Sequence, residues 1–178
     1  SVGVASIGAA IWYTAGRYSL AALGLADVFV FVFFGPVAVG GTYYVQALSL
    51  PTEVLLAGGG PGLLSIGILL VNNVRDVAED RRAGKRTLVV RFGRRFGVAA
   101  YGACLVGALL LAGLLAAGLF GTTPHPWAAL PLGLLPLAIG PIRRLSETTD
   151  PEKLNPLLGA TGRILVLWAL LFAVGWNL

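Results

Sequence analysis

The sequence predicts an all-α polytopic transmembrane helical bundle, and three observations carry the prediction. Apolar residues fill 57% of the 178 positions and charged ones only 12%, with a mean hydropathy of +0.84, whereas a soluble domain averages about 25% charged. The apolar residues gather into runs close to the roughly 20 residues that a helix needs to cross a hydrocarbon core. All thirteen Lys and Arg residues sit in alternate connections between those runs.

Taken in order, residues 1–14 are apolar but short of a full crossing, and read as the end of a truncated helix. With no methionine and no charged n-region, the chain reads as a piece of something longer. Complete spans are expected at 27–49, 53–78, 96–120, 127–145 and 158–177, giving five crossings and one partial in a single membrane domain over 1–178. Each run is apolar on all sides, and five of them in so short a chain exceed what soluble neighbours can bury. Arg17 lies in connection 15–26, eight cations lie in 72–95, and Arg143, Arg144, Lys153 and Arg163 lie in 143–163. Connections 49–52 and 121–126 carry none. The positive-inside rule places the charged connections on the cytoplasmic side of a cell membrane.

Gly58, Gly59, Gly60 and Gly62 crowd one span and Gly35, Gly40 and Gly41 the one before it. No Gly-Lys-Ser/Thr follows them, so close helix packing is expected in place of a phosphate loop. Pro36 and Pro61 are expected to kink their spans. Phe29, Phe31, Phe33 and Phe34 are expected to be core, and Cys104 a small buried apolar group. Glu147, Asp150 and Glu152 accompany Asp-Pro and Asn-Pro steps, which is turn chemistry. His125, between Pro124 and Pro126 on the far side from the acids, is expected to have no haem-binding or catalytic role.

The charge is concentrated in residues 72–95, NNVRDVAEDRRAGKRTLVVRFGRR, which hold three of the eight acids beside eight cations. The preceding helix is expected to continue to about Arg82, where Ala83 and Gly84 supply a stop. Asn72, Asp76 and Asp80 then recur at intervals of four, which places them on one face about 6 Å apart. Stacked carboxylates repel unless a cation separates them. Hard oxygen ligands suit Mg²⁺, which takes one or two carboxylates and completes its shell with water and substrate phosphate. Arg75 within this set and Arg81, Arg82, Lys85 and Arg86 behind it are donors for phosphate oxygens. Lys85, one residue past the Gly84 stop, can fold back over the acids. The pattern points to a Mg²⁺ diphosphate site, against the plain alternative that the acids only balance a basic juxtamembrane loop.

The string NNVRDVAEDRRAGKRTLVVRFG resembles the second aspartate-rich motif of the UbiA superfamily of intramembrane aromatic prenyltransferases, in the form found in its menaquinone-pathway, naphthoate-prenylating branch. The run FFGPVAVGGTYYVQ resembles a segment of the same branch. The resemblance implies a nine-helix fold of which this chain carries the later two thirds, with Asp76, Asp80 and Asn72 on Mg²⁺, and Arg75, Lys85 and Arg86 on a polyprenyl diphosphate. It further implies Mg²⁺-assisted loss of diphosphate and alkylation, with decarboxylation, of 1,4-dihydroxy-2-naphthoate. Thr42, Tyr43, Tyr44 and Gln46 are polar at membrane depth and need partners or a cavity; Tyr43, Tyr44 and Gln46 are assigned to the prenyl or acceptor pocket, where an aromatic face could shield an allylic cation. Asp27 stands where the family pattern leads one to look for Glu. The family's first motif, of the Asn-Asp-x-x-Asp-x-x-x-Asp kind, does not occur in 1–178, so the chain alone is expected to be inactive and to need the missing N-terminal helices. Acceptors such as 4-hydroxybenzoate, homogentisate or a porphyrin-derived ring remain open, as does a non-enzymatic transporter, though the latter needs more ionisable groups within the spans.

Overall fold

The computed structural model describes residues 24–178, so the partial span 1–14 and Arg17 lie outside the described residues. Five helices are long and apolar enough to cross a membrane: α1 Ala26–Ala47, α2 Thr52–Arg75, α5 Arg94–Ala116, α6 Pro126–Glu147 and α7 Glu152–Trp176. Two short helices, α3 Val77–Arg82 and α4 Leu88–Phe92, lie in the charged connection between α2 and α5. No strand occurs among the described residues.

Helix α2 is the shared wall of the bundle, because its glycines leave room on several faces. An added Cβ at Gly62 would meet Phe31 of α1, and at Gly58 it would meet Gly35 and Pro36. At Gly59 it would meet Leu111, and at Gly67 Leu105, both of α5; at Gly60 it would collide with the Trp168 indole of α7. Without a water-driven hydrophobic effect between spans, such close approach supplies the dispersion contacts that hold helices together in lipid. Leu64, Leu70, Val71, Leu105 and Trp168 form part of one buried core. The polar groups in this core are paired across helices. Tyr101 shares a 2.7 Å hydrogen bond with Thr161 Oγ1, which donates to Leu157 O at 2.8 Å. Trp168 Nε1 donates to Ala108 O at 2.9 Å. An unmet donor at this depth would cost about 1–3 kcal/mol.

Both ends of the bundle are identified by contacts. At one end Gly24 abuts the Arg86 carbonyl, Arg75 Nη1 donates to Asn155 Oδ1 at 2.8 Å, and Arg94 donates to the carbonyls of Leu145, Ser146 and Thr148 at the close of α6. The charged connections therefore share one end. At the other, His125 stacks on Trp176 with ring centroids 4.3 Å apart, a packing role.

Three expectations need correction. The helix does not run unbroken to Arg82: it is interrupted at Asp76 (φ −95°, ψ 9°) and resumes as α3, because the Asp76 carboxylate is drawn onto the adjacent Arg75. Pro61 does not kink a span, since it sits in the first turn of the segment Gly59–Arg75, where a missing N–H is harmless; the break falls at Gly58. Pro36 does mark a kink, within a π-type turn over Phe33–Val37 whose Gly35 leaves helical φ/ψ. Phe34 is exposed and Phe29, Phe31 and Phe33 are only partly buried, because α1 lies at the margin of the described bundle. Helix α6 opens as a 3-10 helix over Pro126–Leu134, nine residues, before turning α-helical over Leu135–Glu147.

Gly60→Ala is expected to lower stability by about 1–3 kcal/mol, since the Trp168 indole cannot move without losing its hydrogen bond. Gly159→Ala, with open space around it, should be neutral or stabilising by up to about 1 kcal/mol. Thermal unfolding of both variants in one detergent checks the contrast.

Candidate functional site

The charged end is built by two local devices. At the first, α2 stops and Asp76 receives both Arg75 Nε (2.7 Å) and Arg75 Nη2 (2.8 Å), a two-pronged ion pair whose third nitrogen reaches Asn155. At the second, α3 ends in a Schellman turn: Lys85 N–H donates to Asp80 O and Gly84 N–H to Arg81 O, with Gly84 at φ +70°. That turn swings Lys85 back, and its Nζ sits 2.7 Å from Asp80 Oδ1. Asp80 is nearly buried while Lys85 is half-exposed. A buried carboxylate without a partner costs several kcal/mol, and Lys85 is the partner that offsets that cost at Asp80. Beyond it, Thr87 caps α4 by accepting from Val90 N–H at 3.2 Å.

These residues border an open cleft of about 410 Å³ between the α2–α3 joint and the α6–α7 connection, lined by Arg75, Asp76, Glu79, Arg82, Glu152 and Asn155. Two cations, Arg75 and Arg82, and three carboxylates, Asp76, Glu79 and Glu152, face it. Asp80 and Lys85 lie beside it and not among its lining. Asn72 is partly buried and its Nδ2 donates to Ile68 O at 3.4 Å. Arg81 and Arg86 are exposed. Of the residues singled out from sequence, the structure thus brings together Arg75 with Asp76, and Asp80 with Lys85.

The chain belongs to the UbiA prenyltransferase family. A profile of that family matches residues 1–170. Over 174 residues the chain is 38% identical to a 1,4-dihydroxy-2-naphthoate octaprenyltransferase of Escherichia coli, covering 98% of this chain and 56% of that protein. The Mycobacterium tuberculosis protein of the same name is 39% identical over 176 residues, 97% of this chain and 57% of its own length. The Haemophilus influenzae one is 47% identical over 92 residues, 52% and 30% of the two chains. The chain spans about half the length of the curated relatives that it matches along its whole length.

Tyr43 and Gln46 are elsewhere. They line an apolar cleft of about 680 Å³ with Glu53, Trp168, Phe172 and Trp176, at the end of the bundle that carries few charges. Gln46 Nε2 donates to Thr42 O at 3.2 Å, and Tyr44 is exposed. Glu53 and Arg75 are the near and far ends of one UbiA-family span, 22 residues apart, or roughly 33 Å at 1.5 Å per residue. The two predicted subsites therefore occupy opposite ends. What sequence reasoning missed is the pair of buried polar side chains without partners, Asp27 and Asn73. Asn73 was legible as an Asn beside the motif, but nothing in its spacing set it apart from Asn72.

The Lys85–Asp80 hydrogen bond holds the Lys85 ammonium above its usual range. A raised folded value means that the pair stabilises fully below about pH 10.4 and that the contribution fades as pH climbs through the shifted value. Lys85→Met should therefore destabilise the protein at pH 8 and make little difference at pH 12, and Asp80→Asn added to it should restore part of the loss. Unfolding at the two pH values, run as a double-mutant cycle, measures this.

Proposed function

We propose that the protein transfers a polyprenyl group from a polyprenyl diphosphate to 1,4-dihydroxy-2-naphthoate, releasing diphosphate and CO₂, as a Mg²⁺-dependent enzyme of a bacterial cell membrane with its 72–95 connection in the cytoplasm. The observation that carries this reading is the pair of carboxylates Asp76 and Asp80, each held by a cation able to exchange it for a phosphate oxygen. The names of the relatives supply the acceptor.

Among the described residues, no group of three or more His, Cys, Asp or Glu side chains is arranged to hold a metal ion by itself. The donor set still fits Mg²⁺, which uses few protein carboxylates and takes the rest of its shell from substrate and water. Asp76 and Asp80 would hold it, with the Asn72 amide beside them. When bound, the ion would neutralise charge on the departing diphosphate, worth several kcal/mol in a dry site. The chain's own residues do the rest. Arg75, with its planar fork, and Lys85, on a flexible stem, bind diphosphate oxygens as they give up their carboxylates; Arg86, exposed beside them, extends the cationic rim. Because the reacting prenyl carbon is bonded to the diphosphate, the aromatic ring must meet it at the charged end. Tyr43 and Gln46 then serve the far end of a long prenyl chain, in the cleft at the opposite face, while Tyr44 stands exposed outside that cleft.

The test is transfer of radiolabelled prenyl groups by the complete protein to a panel containing 1,4-dihydroxy-2-naphthoate, 4-hydroxybenzoate and homogentisate. Preference for another ring, or no transfer to any, would reject the reading. Asp76→Ala and Asp80→Ala should each leave less than about a tenth of the turnover, the loss expected when charge stabilisation of the leaving group is removed. Both should insert and unfold cooperatively, and chelation of Mg²⁺ should silence the wild type. Residues 1–178 purified alone should transfer nothing, since they hold one of two aspartate-rich motifs.

A further inference from the structure

The connection between α6 and α7 has the Asp-Pro and Asn-Pro steps of an ordinary turn, yet it is tied down at both ends. Arg94 of α5 donates to the carbonyls of Leu145, Ser146 and Thr148 where α6 closes. At the other end the Asn of the Asn-Pro step, Asn155, accepts from Arg75 Nη1 through Oδ1 at 2.8 Å, a bond between residues 80 positions apart. The backbone that carries Asn155 has little freedom. Leu154 and Leu157 on either side of it are buried in the core at 1% and 2% exposure. Pro156 sits in the first turn of the α-helical segment Asn155–Trp176, where its fixed φ suits a helix start. An amide oxygen is thereby held at the edge of the 410 Å³ cleft that Arg75, Asp76 and Asn155 line together.

The Arg75 guanidinium is shared between two acceptors of different kinds. Nε and Nη2 donate to the Asp76 carboxylate, and Nη1 donates to the Asn155 amide. A guanidinium carries five N–H donors, so one N–H on each terminal nitrogen is left without an acceptor among the described residues. The two acceptors act differently on the cation. A carboxylate cancels its charge, and Asp76 must part from Arg75 before either group can serve a ligand. The Asn155 oxygen is neutral: it fixes the guanidinium in place and leaves the full charge for a phosphate oxygen. Without that hold, an Arg side chain released by its carboxylate spreads over many rotamers, and binding a ligand must order it again.

We propose that Asn155 is a positioning residue for the diphosphate, its side-chain oxygen keeping the Arg75 guanidinium over the cleft once the Asp76 carboxylate has let go. This rests on the prenyl-transfer reading and makes the α6–α7 connection a third wall of its diphosphate site, beside the end of α2 and the charged connection that follows it. A carboxylate at position 155 would grip Arg75 and neutralise it, and a hydrocarbon side chain would leave it loose. A neutral acceptor meets both needs.

The experiment measures binding of inorganic diphosphate, with and without Mg²⁺, to the complete protein in nanodiscs. The wild type is compared with Asn155→Leu, Arg75→Gln, the double variant and Asn155→Asp. Asn155→Leu should weaken binding on the order of fivefold to tenfold, the scale of one hydrogen bond to a charged group. Arg75→Gln should weaken it further, and the double variant should bind no more weakly than Arg75→Gln alone, because Asn155 acts through Arg75. In turnover, Asn155→Leu should raise the KM for the polyprenyl diphosphate by a similar factor and leave the KM for the aromatic acceptor unchanged. Asn155→Asp keeps an oxygen for Arg75 and should still bind diphosphate less well than the wild type, which a purely structural contact would not produce. Wild-type affinity in Asn155→Leu, a full additional loss when that change is added to Arg75→Gln, or undiminished binding by Asn155→Asp would each overturn the proposal. If the wild type binds diphosphate and transfers prenyl groups while one of these results is found, this inference alone falls. A wild type that neither binds diphosphate nor transfers prenyl groups takes the functional reading with it.

Discussion

Everything at the charged end depends on how closely α1, α5 and α7 can approach α2. Gly58 and Gly62 admit α1, Gly59 and Gly67 admit α5, and Gly60 admits the Trp168 ring of α7. A side chain at any of these sites would push one neighbour outward. Since α2 ends at Arg75, a displaced α2 carries Arg75, Asp76 and the start of the charged connection with it. Packing deep in the bilayer therefore sets the position of ion pairs at its surface.

Those ion pairs solve a solvation problem. Carboxylates next to an apolar core are tolerated only with compensation, and here each is met by a cation close in the chain: Arg75 precedes Asp76, and Lys85 returns to Asp80 through the Gly84 turn. The distances are short but the cations are not locked in, because Lys85 is half-exposed and Arg75 faces an open cleft. Each carboxylate is thus neutralised by a cation that still reaches solvent.

The five spans were legible because an apolar run of the right length has few other fates, and their ends fall within a few residues of expectation except where a 3-10 turn leads into α7. The stop at Gly84 and the return of Lys85 were legible from local chain chemistry. The break at Asp76 was not, because spacing of four describes an ideal helix and says nothing of a neighbour that captures the carboxylate. Which helix each glycine admits was also hidden, since that depends on partners far along the chain. Tyr43 and Gln46 were recognisable as polar groups needing a cavity; their separation from the acids followed from the order of connections and required following the span through to its other end. Asp27 could be read only as a variant position, because burial without a partner is a property of three helices at once.

The opening of α6 has a further consequence. A 3-10 helix rises about 2.0 Å per residue against 1.5 Å for an α-helix, so the nine residues of Pro126–Leu134 gain about 4.5 Å over a fully α-helical version. Arg94 pins the opposite end of the same helix to α5. A span stretched at one end and tethered at the other cannot shorten by sliding. It makes α6 a fixed strut against bilayer thickness: in a thinner membrane the mismatch must be absorbed by tilt of the whole bundle or by the lipid, at a fraction of a kcal/mol for each ångström.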